Sequence, residues 1–198
     1  MTTRTLVSTS WRLAGAVLCT LSVTSCGGEM LRTGRAPMYL VVQQVQASAN
    51  NSTTFTGFLL SDVRSDDGSA QNDNAQVTLR LEPKNPSAPT SPINAVTLTR
   101  YHVEFKRADG RNRPGIDVPW GFDGVLSTTI QPGGTATVGF ELVRHAAKRE
   151  APLSALVGGG GLRLLDAIAE MTLYGRDQNG NEVQVTATMD VHFADFGG

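Results

Sequence analysis

The chain has few cysteines, few aromatic residues and only one long apolar run. Its 198 residues include two cysteines, Cys19 and Cys26, and both lie near the N-terminus. The chain beyond Cys26 therefore cannot form an internal disulfide bond, supply a thiol nucleophile or build a cysteine zinc site. About 170 residues follow, which is enough for one domain stabilised by its core alone.

A strong charge of one sign is also lacking. The formal net charge is −1, and there is no basic stripe or aromatic RNA-binding motif, so we expect no nucleic-acid partner. Positive residues cluster modestly in 107–113 and again at Lys148 and Arg149. Turn residues interrupt both clusters, and we interpret both clusters as parts of solvated loops.

Motifs of common catalytic sites are absent from the sequence. It has no G-x-S-x-G nucleophile turn and no H-E-x-x-H zinc motif. Its three histidines are His102, His145 and His192, which we expect to face solvent on strands or at a strand end. The sequence therefore predicts neither an enzyme nor a cofactor. A hydrolase remains the alternative that would require one histidine beside a carboxylate in a polar pocket.

The N-terminus carries a secretion pattern. Arg4 and Arg12 accompany an apolar run over 13–21, which is shorter than the about 20 apolar residues of a membrane span. The next segment, Val23-Thr24-Ser25-Cys26, resembles the lipobox of bacterial lipoproteins. This resemblance implies that Cys26 is lipidated and becomes the first residue of the mature protein.

The same resemblance implies a domain division and a location. Residues 1–25 would be the signal peptide, 26–37 the lipidated cysteine with a flexible tether, and 38–198 the folded domain. In lipoproteins of bacteria with two membranes, an aspartate after the cysteine usually marks retention at the inner membrane. Gly27 stands there in this chain, so the resemblance implies a lipid-anchored cell-envelope protein, in the outer membrane rather than the inner one if the host has two membranes.

Strand-like alternation dominates the rest of the chain. Apolar and polar residues alternate over 77–82, 136–142 and, most regularly, 182–193. The alternation changes phase within 96–105, which predicts a β-bulge near Thr99 and Arg100 or, as the alternative, a strand that bends between two sheets. Between two strong strand patterns lies Asp-Gln-Asn-Gly-Asn over 177–181, which predicts a β-hairpin.

These patterns predict an all-β fold. Seven or eight short strands separated by turn signals indicate a single antiparallel β-sandwich. The strand–turn–strand segment 171–183, with its tyrosine strand and Asp-x-x-Gly-Asn turn, resembles the final hairpin of bacterial Ig-like and fibronectin-III-like domains. The resemblance implies an Ig-like sandwich over 38–198 and says nothing about activity.

A loop rich in glycine and proline over 107–124 is the most unusual segment. It combines three arginines with two aromatic residues, a composition typical of protein or glycan recognition. The alternative is a loop folded over one end of the sandwich whose aromatic side chains fill the core, and we favour this second interpretation. The residues concerned are Arg107, Arg111, Arg113, Trp120 and Phe122.

Two acidic loops suggest calcium as an alternative ligand. Hard oxygen ligands at the end of a sandwich would suit this ion, although neither loop follows the EF-hand pattern. Aspartate and asparagine are also the residues that turns use for their own backbone hydrogen bonds. The candidate ligands are Asp66, Asp67, Asp73, Asp177, Asn179 and Asn181.

The sequence as a whole predicts a lipid-anchored envelope protein with a binding or structural role and no catalysis. Its partners would be the membrane, through the lipid on Cys26, and another envelope protein or a glycan. A calcium- or small-ligand-binding module is the alternative.

Overall fold

The computed structural model describes residues 34–196, which form eight β-strands in two facing sheets. Cys26, the signal peptide and most of the tether lie outside the described residues. The strands are β1 (Met38–Ser48), β2 (Leu59–Asp62), β3 (Asp73–Pro83), β4 (Val96–Lys106), β5 (Phe122–Ile130), β6 (Thr135–Val143), β7 (Leu165–Asp177) and β8 (Glu182–Ala194). A short helix, α1 (His145–Lys148), follows β6. Single 3-10 turns form at Pro92–Asn94 and Leu153–Leu156.

The strand order confirms the predicted all-β sandwich. One sheet has the order β1-β3-β6 and the other the order β2-β8-β7-β4-β5. All strand pairs are antiparallel except β2 with β8, which is parallel. The expectation of antiparallel pairing therefore holds for every pair but this one.

Alternating apolar residues form the core between the sheets. Along β8 every second residue from Val183 to Phe193 is buried, as the sequence pattern predicts. In β3 the buried residues Val77, Leu79 and Leu81 face the same interior. Because each strand has one apolar and one polar face, burying the apolar faces of two sheets leaves the polar faces in water.

Local irregularities in the fold also follow the sequence. The pairing of β4 with both β5 and β7 shifts by one residue between Leu98 and Arg100, which confirms the predicted bulge.

The β7–β8 hairpin is also confirmed. Gly180 has a φ of 84°, and its amide donates to the carbonyl of Asp177 at 3.0 Å. Within the hairpin, glycine alone has a positive φ, so the turn is a type I turn with a glycine bulge and not the mirror-image form.

Within residues 34–196 the structure contains no helix that is both long enough and apolar enough to cross a membrane.

Candidate functional site

The β4–β5 loop, residues 107–121, is held in shape by its own charged residues. Arg107 and Arg111 both donate to the carboxylate of Asp109, at 2.7 and 2.8 Å for the closest atoms. The turn is completed by Gly110, whose φ of 79° suits a residue without a side chain. Hydrogen bonds from Arg107, and then from Arg111, hold the pKa of Asp109 well below its usual value, so the carboxylate stays ionised around neutral pH.

A second ion pair fixes the other half of this loop. The guanidinium of Arg113 donates to Asp117 at 2.8 Å, and this hydrogen bond lowers the pKa of Asp117. The amide of Gly115 donates to the carbonyl of Val118 at 2.8 Å. The three arginines of the predicted recognition loop therefore all bind acidic residues of the same loop. Their charges organise the loop and are not left unpaired for an anionic ligand.

Trp120 lies on the outside of this loop. Its indole ring covers Gly115 so closely that a Cβ atom at this glycine would lie 2.5 Å from the indole nitrogen. The side chain nevertheless remains 55% exposed, and the neighbouring loop residue Ile116 is 60% exposed. The expectation that Trp120 fills the core is therefore wrong, because the tryptophan packs on the loop and not between the sheets.

Phe122, by contrast, does fill the core. It is 8% exposed, and its ring meets that of Tyr101 edge to face with centroids 6.1 Å apart. The guanidinium carbon of Arg144 lies 4.3 Å from the centre of the Phe122 ring and closes the pocket from outside. Of the two predicted aromatic residues, one is a core residue and the other is on the surface.

The calcium candidates do not converge. In the hairpin, one oxygen of Asp177 accepts the amides of Asn179 and Asn181, and the other accepts the side-chain amide of Asn181. Asp67 accepts the amide of Ser69, also within its own turn. Across residues 34–196, no group of three or more histidine, cysteine, aspartate or glutamate side chains is arranged to hold a metal ion. Asp67 and Asp177 therefore act as turn residues, the use that competes with calcium binding.

Asp73 belongs to a buried charged centre that the sequence interpretation missed. Its carboxylate accepts a hydrogen bond from Lys148 Nζ at 2.8 Å, and both side chains are completely inaccessible to water. Ser61 Oγ donates to the second carboxylate oxygen at 2.6 Å. The amide of Asn50 donates to the first at 2.9 Å. The expectation that Lys148 lies in a solvated loop is therefore wrong.

The histidines lie on open surfaces. His192 Nδ1 is 2.6 Å from an oxygen of Asp166, and His102 Nδ1 is 3.3 Å from one of Asp123. Both pairs lie on the solvent-facing side of the five-stranded sheet. Each pair has the histidine and carboxylate that a hydrolase requires, but in neither is a nucleophile hydrogen-bonded to the histidine among the contacts of residues 34–196. Each pair joins neighbouring strands, β8 with β7 and β4 with β5.

A surface pocket of about 600 Å³ opens at the opposite end of the sandwich from the β4–β5 loop. Its wall includes Lys84, Arg100, Tyr174 and Arg176. Arg100 stacks on the ring of Tyr174 at 3.9 Å, and Arg176 pairs with Glu182 at 3.0 Å. Lys84 donates to the carbonyl of Gly34 at 2.6 Å, and Arg100 also pairs with Asp123 outside the wall, so each of these cations already has a partner.

Comparison with known proteins gives only distant structural similarity. No protein-family model and no curated protein sequence matches the chain. The crystal structure of a structural genomics target designated SoR45 aligns over 80% of this chain and 86% of its own, with 12% identity and a TM-score of 0.34. A Bordetella pertussis protein with the provisional name ApaA aligns over 80% of this chain and 94% of its own, with 14% identity and a TM-score of 0.32. At these values neither similarity assigns a family or an activity.

Proposed function

We propose that this protein is a lipid-anchored envelope protein whose sandwich binds a protein partner, without catalysis, through the outer end of the β4–β5 loop. The observation that carries the proposal is the exposed apolar pair Trp120 and Ile116 on a loop that is held by internal ion pairs. Tryptophan is among the residues that contribute most to binding at protein interfaces.

The rigidity of the loop supports this role. A flexible loop loses conformational entropy when it binds, and this loss opposes association. Here Asp109 and Asp117 hold the backbone around the tryptophan before any partner arrives. Trp120 is further fixed by its contact with Gly115. Such a preorganised surface keeps more of the interaction energy as binding affinity.

A protein partner is favoured over a glycan by the surroundings of the tryptophan. Sugar-binding platforms usually present several aromatic rings in one plane. The exposed neighbour on this loop is the aliphatic Ile116, and the buried Phe122 contributes no surface ring. A single exposed tryptophan suits a protein interface, in whose core aromatic residues are enriched.

Replacing Trp120 with alanine is expected to abolish partner capture while leaving the fold intact. Loss of a tryptophan at the centre of an interface weakens binding by about 2 kcal/mol or more, which is at least tenfold in Kd. Pull-down from envelope fractions with the full chain as bait tests this.

Phe58→Ala is the matched control, because Phe58 is also an exposed aromatic residue but precedes β2 at the other edge of the sheet. Equal capture by the wild-type protein and the Trp120→Ala variant would contradict the proposal, and capture replaced by glycan binding would reassign the ligand.

Replacing Cys26 with serine is expected to release the protein from the membrane fraction. The proposal of a lipid anchor rests on the resemblance of 23–26 to a lipobox, and a serine hydroxyl cannot form the thioether to the lipid. A single acyl chain gives only reversible membrane binding, so stable attachment needs more than one. Fractionation and labelling with a fatty-acid analogue provide the measurement. Cys19→Ser is the control, since Cys19 would leave with the signal peptide. Continued labelling of the Cys26→Ser variant would exclude the anchor.

A further inference from the structure

Lys148, Asp73 and Asn50 meet in the interior at the end of the sandwich where β2 ends and β3 begins. Lys148 Nζ lies 2.8 Å from an oxygen of Asp73 and 3.4 Å from the side-chain oxygen of Asn50. The lysine and aspartate side chains have no access to water. A buried primary amine and a buried carboxyl group are thus in contact with the carboxamide of Asn50, a partly buried residue.

The position of Asn50 is fixed by the same carboxyl group. Its backbone amide donates to Asp73 Oδ1, the oxygen that also accepts from Lys148. Asn50 has a φ of 51°, a left-handed conformation that non-glycine residues adopt infrequently. Asn51, with a φ of 55°, adopts the same conformation, which asparagine tolerates better than most residues, and this turn places the Asn50 carboxamide against the lysine.

An ion pair alone does not account for this arrangement. Taking an ammonium and a carboxylate out of water is expensive, and apolar residues of similar size often stabilise a core as well or better. A buried amine whose proton can pass to a carboxyl group is, by contrast, a nucleophile. Besides that carboxyl group, the amine donates to the carboxamide oxygen of Asn50.

We propose that the folded chain joins Lys148 to Asn50 through an intramolecular isopeptide bond, with Asp73 as the proton carrier. The bond that forms links Lys148 Nζ to Asn50 Cγ, and the bond that breaks is Asn50 Cγ–Nδ2. Ammonia leaves, so the atoms balance without an oxidant, a reductant or a co-reactant. This modification is independent of the partner-binding role proposed above.

The proton route follows from the contacts. The lysine ammonium first gives a proton to Asp73, and the neutral amine then attacks the carboxamide carbon. As the new bond forms, the attacking nitrogen loses a second proton and the leaving nitrogen gains one, with Asp73 between them as the relay. Burial raises the pKa of Asp73, so this carboxyl group is suited to hold a proton in the folded state. Ser61 orients it by donating to its other oxygen.

Asn50 is a better acyl donor here than Asp73 itself. Both oxygens of Asp73 accept hydrogen bonds, and consuming its carboxyl group would remove the proton carrier. Among residues 34–196, Asp73 is the acidic residue that pairs with Lys148, so no second carboxyl group in contact with the amine could replace it. Lys148 is thus the nucleophile, Asn50 the acyl donor and Asp73 the proton carrier.

Peptide mapping of the full folded chain after trypsin digestion tests the proposal. Acylated Lys148 resists trypsin, so segment 145–149 should be recovered attached to segment 36–64, which contains Asn50. The mass of this branched peptide should be lower than the sum of the two segments by one ammonia. Recovery of segment 145–148 cleaved at a free Lys148, together with unmodified 36–64, would overturn the proposal.

Variants of Asn50 separate the bond from the ion pair. Asn50→Gly permits the left-handed backbone and leaves Asp73 and Lys148 in place, and it should yield no branched peptide. Asn50→Asp should yield the same branch with loss of water in place of ammonia. A wild-type branch that joins 145–149 to 65–80, the segment with Asp73, would assign the bond to the wrong residue and overturn the proposal. A branch that persists in Asn50→Gly would do so as well.

Discussion

Replacing Asp73 with alanine is expected to lower the free energy of unfolding by about 3–5 kcal/mol, the usual range when one partner of a buried ion pair is removed. The variant would leave Lys148 inside the protein without a carboxylate. Ser61 Oγ and the amide of Asn50 would also lose the acceptor to which they donate. Each unsatisfied buried donor adds about 1–3 kcal/mol of lost solvation.

This expectation holds with or without the isopeptide bond. If Asp73 carries the proton, its removal also prevents the bond from forming, and Lys148 again remains a buried free amine. In both cases the variant has an unpaired lysine in the core. The Asn50→Gly variant keeps the ion pair and loses the bond together with the hydrogen bond from Lys148 to the Asn50 side chain.

Thermal and urea unfolding measure the effect. For a domain of this size a loss of 1 kcal/mol lowers Tm by about 2–4 °C, so the full effect is readily resolved.

The matched control is Asp123→Ala, which removes a half-exposed partner of Arg100 and should change stability by at most about 1 kcal/mol. Adding Lys148→Met to Asp73→Ala should recover part of the loss, because the buried charge is then gone. If Asp73→Ala is as stable as the control, the buried pair is not a stabilising element.

Much of the fold was predictable because it depends on local pattern. The period of two over 182–193 gives the buried face of β8, and the phase change near Thr99 gives the bulge. In the hairpin the Asn-Gly sequence indicates the turn, although the particular turn type depends on which residue adopts positive φ. These features involve residues that are close in the chain, so the sequence carries their signal directly.

The buried centre lacked such a signal. Lys148 and Asp73 are 75 positions apart, and each is surrounded by polar or turn residues that suggest a solvated loop. Burial arises only when α1 packs against the start of β3, a tertiary contact that composition does not encode. The prediction that both aromatic residues of the loop fill the core failed at Trp120 for a related reason. Trp120 and Phe122 have the spacing of one strand face, but β5 begins at Phe122, so the alternation does not extend to the tryptophan.

The loop arginines could have been interpreted more closely. Asp109 is two residues from both Arg107 and Arg111, and Asp117 is four residues from Arg113, so each cation has an acidic neighbour in the chain. The five residues predicted for recognition therefore have different places in the structure. The arginines hold the loop, Phe122 belongs to the core, and Trp120 is exposed on the loop surface.

Replacing Gly175 with alanine is expected to destabilise the protein by about 1–3 kcal/mol through overpacking. Gly175 lies in the central strand β7 and pairs with Leu98 beside the β4 bulge. A Cβ atom there would lie 2.5 Å from the carbonyl oxygen of Thr97 and 3.1 Å from Leu98 Cα. Both are backbone atoms, so relief requires a movement of the strand and not of a flexible side chain.

The bulge makes this movement difficult. Strand β4 is bound by β5 on one side and β7 on the other, and both pairings change register at the same step. Moving Thr97 away from β7 would strain its ladder with β5.

Gly139→Ala is the matched control, because Gly139 also lies within a strand but its Cβ would meet only the carbonyl oxygen of Ala75, at 3.8 Å. Alanine should be neutral there or stabilising by up to about 1 kcal/mol, since glycine loses more backbone entropy on folding. If both variants melt at the wild-type temperature, the bulge is not held by close contact with β7; opposite shifts would show that Gly175 provides the space in which the bulged strand packs.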